Sequence, residues 1–157
     1  TKAPVLEDYV SREWFRGQLR HPDAPERFGN TGFKGEMEAV DLPKEEEDAL
    51  VEFMAANTGL EYQPPLDPEK IKKGEVVFSD EGCDSCHAME GEGMGGPNLG
   101  NYGSDAFLRA LFVDPADEAL YGSLNEMPSF RQLPENQIHA LIVFLRALRT
   151  DRPVHTW

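Results

Sequence analysis

An all-α fold is what this sequence predicts, and three observations carry the prediction. No stretch shows the sustained period-two alternation of β-branched and aromatic residues that marks a strand. Apolar residues recur instead at spacings of three and four in several segments. Those segments also occur twice: "YVSREWFRGQLRHPDAPERFG", Tyr9 to Gly29, returns as "YGSDAFLRALFVDPADEALYG", Tyr102 to Gly122, at a constant offset of 93. A chain of 157 residues built on such a repeat reads as two small units.

The elements follow in order. Ser11 stands where an N-cap belongs, ahead of "REWFRGQL", and Ser104 stands in the same place ahead of "DAFLRALF". Leu42-Pro43 opens a second helix, "KEEEDALVEFM". The acidic run Glu45 to Asp48 reads as a first turn that favours the helix dipole and faces water. Gly59, Pro64, Pro65 and Pro68 then stop helix and mark a linker, and a further helix is expected over 68–78. The clearest helix begins at Leu133-Pro134-Glu135, with Pro134 in its first turn. Ile138, Leu141, Ile142, Leu145 and Leu148 form its apolar stripe, and Arg146 and Arg149 sit at its negative end. Leu42, Pro43, Ala49, Leu50 and Phe53 match Leu133, Pro134, Ala140, Leu141 and Phe144 at an offset of 91. The expected organisation is a first half over 1–58, a Pro-rich linker over 59–67 and a second half over 68–157.

Charge narrows the function. A net charge of -14 leaves no basic face to displace counterions, which excludes nucleic acid and anionic membrane surfaces as partners. The longest apolar run, "ALIVFL" at 140–145, falls far short of the roughly eighteen residues of a spanning helix. Thr1 begins no signal-peptide pattern, as expected of a cytoplasmic chain or of a mature, trimmed one. The two cysteines exclude a disulfide-stapled scaffold.

Those cysteines lie in "CDSCH", Cys83 to His87. Cys-x-x-Cys-His is the spacing for covalent haem attachment: two thiols bond the porphyrin vinyl groups, and the adjacent imidazole reaches the iron from the same turn. A zinc site would want four ligands, and His21, His139 and His155 are the only other His or Cys residues. A redox dithiol would want a strand-to-helix turn in an α/β chain. A chance match in an ordinary loop is the remaining alternative.

The surroundings of the motif carry a resemblance. "CDSCH", the pair Gly74 and Phe78, "GGPNL" at 95–99 and "MPSF" at 127–130 together resemble class I c-type cytochromes over residues 67–150. The resemblance implies an all-α cytochrome c fold and one covalent haem c on Cys83 and Cys86. His87 and Met127 would be the iron ligands, and the Pro97 carbonyl would accept a hydrogen bond from His87. It also implies that a helix crosses closely over Gly74 and packs on Phe78. Met127 is preferred among five methionines because Pro128 and Phe130 follow it; Met89 and Met94 lie near the motif, and Met37 and Met54 belong to the first copy. Tyr102 and Arg109 are weaker candidates as propionate partners, since Tyr9 and Arg16 occupy their places in the first copy.

The first copy aligns from Pro4 onward without an attachment motif, and places Met37 in "GEME" opposite "NEMP", where Glu38 replaces Pro128. It reads as a degenerate, haemless cytochrome c-like half; a remnant of a two-haem parent is the other explanation. The tandem arrangement is similar to cytochrome c modules of bacterial bc-type quinol:cytochrome c oxidoreductases. The implied function is one-electron transfer, as a carrier or as part of a membrane complex, on the periplasmic or outer face of the cytoplasmic membrane. The alternative is a small-ligand sensor or peroxidase-like domain with a displaceable methionine. From Gly74 to Leu108 there are seven acidic residues and no Lys or Arg, which favours redox partners with a basic docking face.

Overall fold

A computed structural model describes residues 3–61, 63–91 and 95–151. Among these the chain is all-helical, as expected of a cytochrome c-like fold. Its helices are α1 (Arg12–Arg20), α2 (Lys44–Ala56), α3 (Pro68–Asp80), α4 (Asp105–Val113) and α5 (Glu135–Ala147), with short 3-10 turns at Cys83–Ser85 and Gly122–Leu124. None is long and apolar enough to cross a membrane.

The repeat survives in the backbone. Ser11 Oγ accepts from the Trp14 amide at 3.1 Å, and Ser104 Oγ accepts from the Phe107 amide at the same distance, so α1 and α4 start identically. α2 and α5 each begin one residue after a proline: Pro43 and Pro134 are N-caps and do not enter the first turn. Beyond the helices, Val40 N donates to Leu19 O at 2.8 Å and Phe130 N donates to Phe112 O at 2.7 Å, tying each methionine-bearing loop to its own preceding helix.

α2 is the centre of the molecule. Ala49 to Ala55 are all buried, so the helix has no solvent stripe over that span; α1 covers one side and α3 another. Gly74 makes the α3 crossing possible: a Cβ there would lie 2.0 Å from the Ala49 carbonyl oxygen and 2.7 Å from Phe53 Cβ. One turn on, Phe78 stacks against Phe53 with ring centroids 5.4 Å apart. The close crossing expected at Gly74 and Phe78 therefore exists, but the crossing helix is α2 of the first copy. The equivalent residue of α5, Phe144, is 59% exposed where Phe53 is 8% exposed.

The acidic run also departs from expectation. Glu47 is buried and accepts from Arg16 at 2.9 Å and from Arg20 at 2.5 and 2.6 Å. Glu52 accepts both Arg12 nitrogens at 2.6 and 2.9 Å and the Asp67 amide at the N-cap of α3 at 2.8 Å. These guanidinium groups hold both carboxyls below the ordinary glutamate range, so both stay ionised at neutral pH. The first turn of α2 thus binds α1 rather than water, and Glu52 joins three helices.

The two copies seal each other. Asp8 N donates to Leu148 O at 3.4 Å, and its repeat equivalent Asn101 donates to Asn57 O at 2.7 Å; Leu148 and Asn57 are themselves the equivalent C-caps of α5 and α2. Asp8 Oδ1 also accepts from the amide and hydroxyl of Thr150. Tyr9 and Tyr102 stack across the centre at 5.8 Å. The Pro-rich linker divides the repeats, while the buried core runs on through both, from Trp14 and Leu50 to Phe78, Leu108 and Ile142.

Candidate haem site

α3 ends at Asp80, and Gly82 turns the chain back with φ 69°, a conformation that costs a glycine little. Cys83 to Ser85 then form a single 3-10 turn, and Cys83 O accepts from both Cys86 N (3.2 Å) and His87 N (2.9 Å). Both thiols and the imidazole therefore leave one tight turn. Cys86 is exposed and Cys83 half-buried, with its thiol pushed up in pKa chiefly by burial.

The loop 95–99 lies along this turn. Gly96 N donates to Cys86 O at 3.0 Å and Leu99 N to Ala88 O at 2.8 Å, which sets the Pro97 carbonyl 2.9 Å from His87 Nδ1. A carbonyl can only accept, so Nδ1 carries the proton and Nε2 keeps its lone pair free. Burial lowers the imidazole pKa, opposed by the Pro97 contact, and the ring is neutral at pH 7, the form that binds metal. Gly96 makes room for it: a Cβ there would meet His87 Cε1 at 2.5 Å.

Cys83, Cys86, His87 and Pro97 open onto a cavity of about 830 Å³. That is within the roughly 300–1,000 Å³ of sites for organic cofactors. Phe78, Leu99 and Tyr102 form the wall nearest the motif; Trp14, Phe15 and Leu19 of α1, Phe28 and Phe33, and Leu50 and Met54 of α2 form the rest. Among the described lining residues there is no Lys or Arg, while Asp23, Glu36, Glu38, Asp41, Glu81 and Glu118 are acidic. A large flat apolar group with a metal at its centre fits this lining and this donor set: two thiols at the mouth, one neutral imidazole, aromatic walls.

The structure brings Cys83, Cys86, His87 and Pro97 together and leaves Met127 apart. Met127 packs on the core, bracketed by Asn125, whose side chain accepts from its amide at 3.0 Å and donates to its carbonyl at 2.7 Å; it does not line the cavity. Met37 does. The reason is the α2–α3 crossing, which faces the motif toward the loop ahead of α2 rather than the loop ahead of α5. Sequence reasoning passed over Met37, the α1 aromatics and Gln18; the repeat itself was the signal, because it gave the first copy the same ligand-loop position. Tyr102 lines the cavity, its hydroxyl bonded to that of Tyr121, and burial raises both pKa values. Arg109 pairs with Glu135 instead, and His139 is exposed. Met94 and His155 lie outside the described residues.

Residues 69–145 match the family model described as cytochrome c oxidase, cbb3-type, subunit III. A cbb3-type cytochrome c oxidase subunit CcoP of Helicobacter pylori strain 52 is 28% identical over 122 residues, covering 73% of this chain and 40% of that protein. The CcoP of strain ATCC 700392 / 26695 is 28% identical over 115 residues, 69% of this chain and 38% of that protein. Cytochrome c oxidase subunit 2 of Alkalihalophilus pseudofirmus is 31% identical over 120 residues, 70% of this chain and 33% of that protein. The chain thus spans well under half the length of these curated relatives. No solved structure matches.

Proposed function

We propose that this chain, whose residues 69–145 form a c-type cytochrome domain similar to that of cbb3-type oxidase subunit III, passes single electrons through one haem c. Cys83 and Cys86 hold the haem through thioethers, His87 binds the iron and Pro97 orients His87. The observation that carries the reading is the attachment turn, with its neutral, braced imidazole, set at the mouth of an aromatic cavity. When bound, the haem supplies a reversible one-electron iron couple. The protein's part is to fix the imidazole tautomer, exclude water with the α1 and α2 aromatics, and leave the exposed Cys86 edge for electron exit. The relatives are named as oxidase subunits, which favours a place in a terminal oxidase; a quinol:cytochrome c oxidoreductase of the bc type is the other complex that a tandem of this kind suits. Either role belongs on the periplasmic or outer face of the membrane.

Two measurements check this. Pyridine haemochrome against protein concentration should give one covalent haem per chain, with a redox titration that fits one electron. A ratio of two, or haem lost on denaturing gels, would contradict it. Rapid carbon monoxide binding by the reduced wild type would instead favour the small-ligand sensor.

The acidic lining bears on the partner. Asp80, Glu81 and Asp84 flank the motif and are exposed, with no Lys or Arg among the described cavity residues. A partner with a basic face is steered toward this mouth, and screening removes the advantage as the Debye length falls from about 10 Å at 0.1 M salt to about 3 Å at 1 M. Electron exchange with a lysine-faced cytochrome should therefore slow as salt rises. The Asp80→Asn/Glu81→Gln/Asp84→Asn variant should be several-fold slower at low salt with an unchanged haem spectrum. A rate indifferent to both changes would point to transfer inside a fixed complex.

A further inference from the structure

We propose that Met37, carried by the copy that precedes the attachment motif, is the sixth iron ligand of the haem held at Cys83, Cys86 and His87. The inference rests on the haem reading above and adds to it where the second axial bond comes from. Four observations converge on it.

The first is placement. Met37 and His87 line the same cavity, and Met127 does not line it. The second is a bonded sulfur: the Gln18 side-chain amide lies 3.7 Å from Met37 Sδ, within reach of a weak N–H···S hydrogen bond. A thioether sulfur has two lone pairs, so a donor on one leaves the other for a metal. Gln18 is on the cavity wall, and its Oε1 is buried without a partner, a polar atom held there at a cost that the Met37 contact helps to offset. In the second copy the equivalent position is Leu111, which has no donor to offer.

The third is loop construction. The Met37 segment is anchored like the Met127 segment, by Val40 N to Leu19 O where the other has Phe130 N to Phe112 O. Gly35 N donates to Asp23 Oδ1 at 2.9 Å and holds the loop from its other side. Glu38 therefore replaces Pro128 without dissolving the ligand loop. The fourth is the Gly74 crossing: with α3 laid against Ala49 and Phe53, the motif must face the loop that leads into α2. The working unit is then a permuted one, in which ligand loop and terminal helix come before the attachment motif in the chain.

The test uses the holoprotein and spectroscopy. In Met37→Ala the far-red sulfur-to-iron charge-transfer band of the oxidised protein should vanish and the reduced protein should bind carbon monoxide rapidly, with covalent haem still at one per chain. Met127→Ala should keep the band and exclude carbon monoxide. A second arm guards against a variant that loses its fold: Met37→His should remain six-coordinate and low-spin with a bis-imidazole spectrum and no sulfur band, while Met127→His should be indistinguishable from wild type. Loss of the band in Met127→Ala with Met37→Ala unaffected, or a band indifferent to both, overturns the Met37 ligand and leaves the haem reading intact. Absence of covalent haem from the wild type would overturn the haem reading itself, and this inference with it.

Discussion

A chain carrying Cys83→Ser, Cys86→Ser and His87→Ala should keep much of its helix content and lose its fixed tertiary structure. The cavity is the reason. A dry void of about 830 Å³, at roughly 24 cal/mol per Å³, would cost on the order of 20 kcal/mol, more than the ~5–15 kcal/mol by which small proteins are stable at all. The walls cannot hold their places around nothing; without the haem they collapse, admit water, or let α1 and the 28–40 segment come loose. Trp14 and Tyr102 sit in that wall, so the expected signature is loss of the near-ultraviolet circular dichroism with the far-ultraviolet signal largely kept, and binding of a hydrophobic dye. A sharp, cooperative thermal transition in the triple variant would show that the walls close by themselves and that the cavity is not built for a cofactor.

The second large effect is expected at the helix crossing. In Gly74→Ala the new methyl would lie 2.0 Å from a backbone oxygen and 2.6 Å from its carbon, and neither can swing aside as a flexible side-chain tip would. α3 must lift from α2. Overpacking of this kind costs typically 1–3 kcal/mol and more when backbone has to move, against about 1 kcal/mol returned by replacing glycine in a helix, so a net loss of about 2 kcal/mol or more is expected. A companion pair identifies which helix α3 rests on. Ala49→Leu should be severely destabilising, while Ala140→Leu, on the exposed side of α5, should change stability by less than about 0.5 kcal/mol. Denaturant midpoints at constant slope read both. Equal losses at the two positions would mean that α5, not α2, carries α3.

That pair also marks where the sequence stopped being informative. The helices were legible because each has a local cause: Ser11 and Ser104 cap, Pro43 and Pro134 start, and the apolar stripes repeat at three and four. The attachment turn was legible because its chemistry depends on a spacing of five residues. The α2–α3 pairing was not, because α2 and α5 present the same Ala, Leu and Phe at the same intervals, and periodicity says which face of a helix is apolar without saying what will cover it. Gly74 announced a close crossing and could not name the other helix. Met37 was hidden by the same degeneracy. Glu38 in place of Pro128 made its loop look degenerate, although the backbone of that loop is anchored as firmly as its counterpart.

The reciprocal seal has a consequence for the order in which the molecule is made. The α1 and α2 walls of the cavity lie upstream of the cysteines, so a chain emerging from its N-terminus delivers the receiving wall before either thiol. The mutual closure of the copies comes last: Asp8 waits for Thr150, across a separation of 142 residues, and ring closure over such a span is entropically late. Attachment chemistry at Cys83 and Cys86 therefore meets a protein whose haem-binding wall already exists and whose final latch does not.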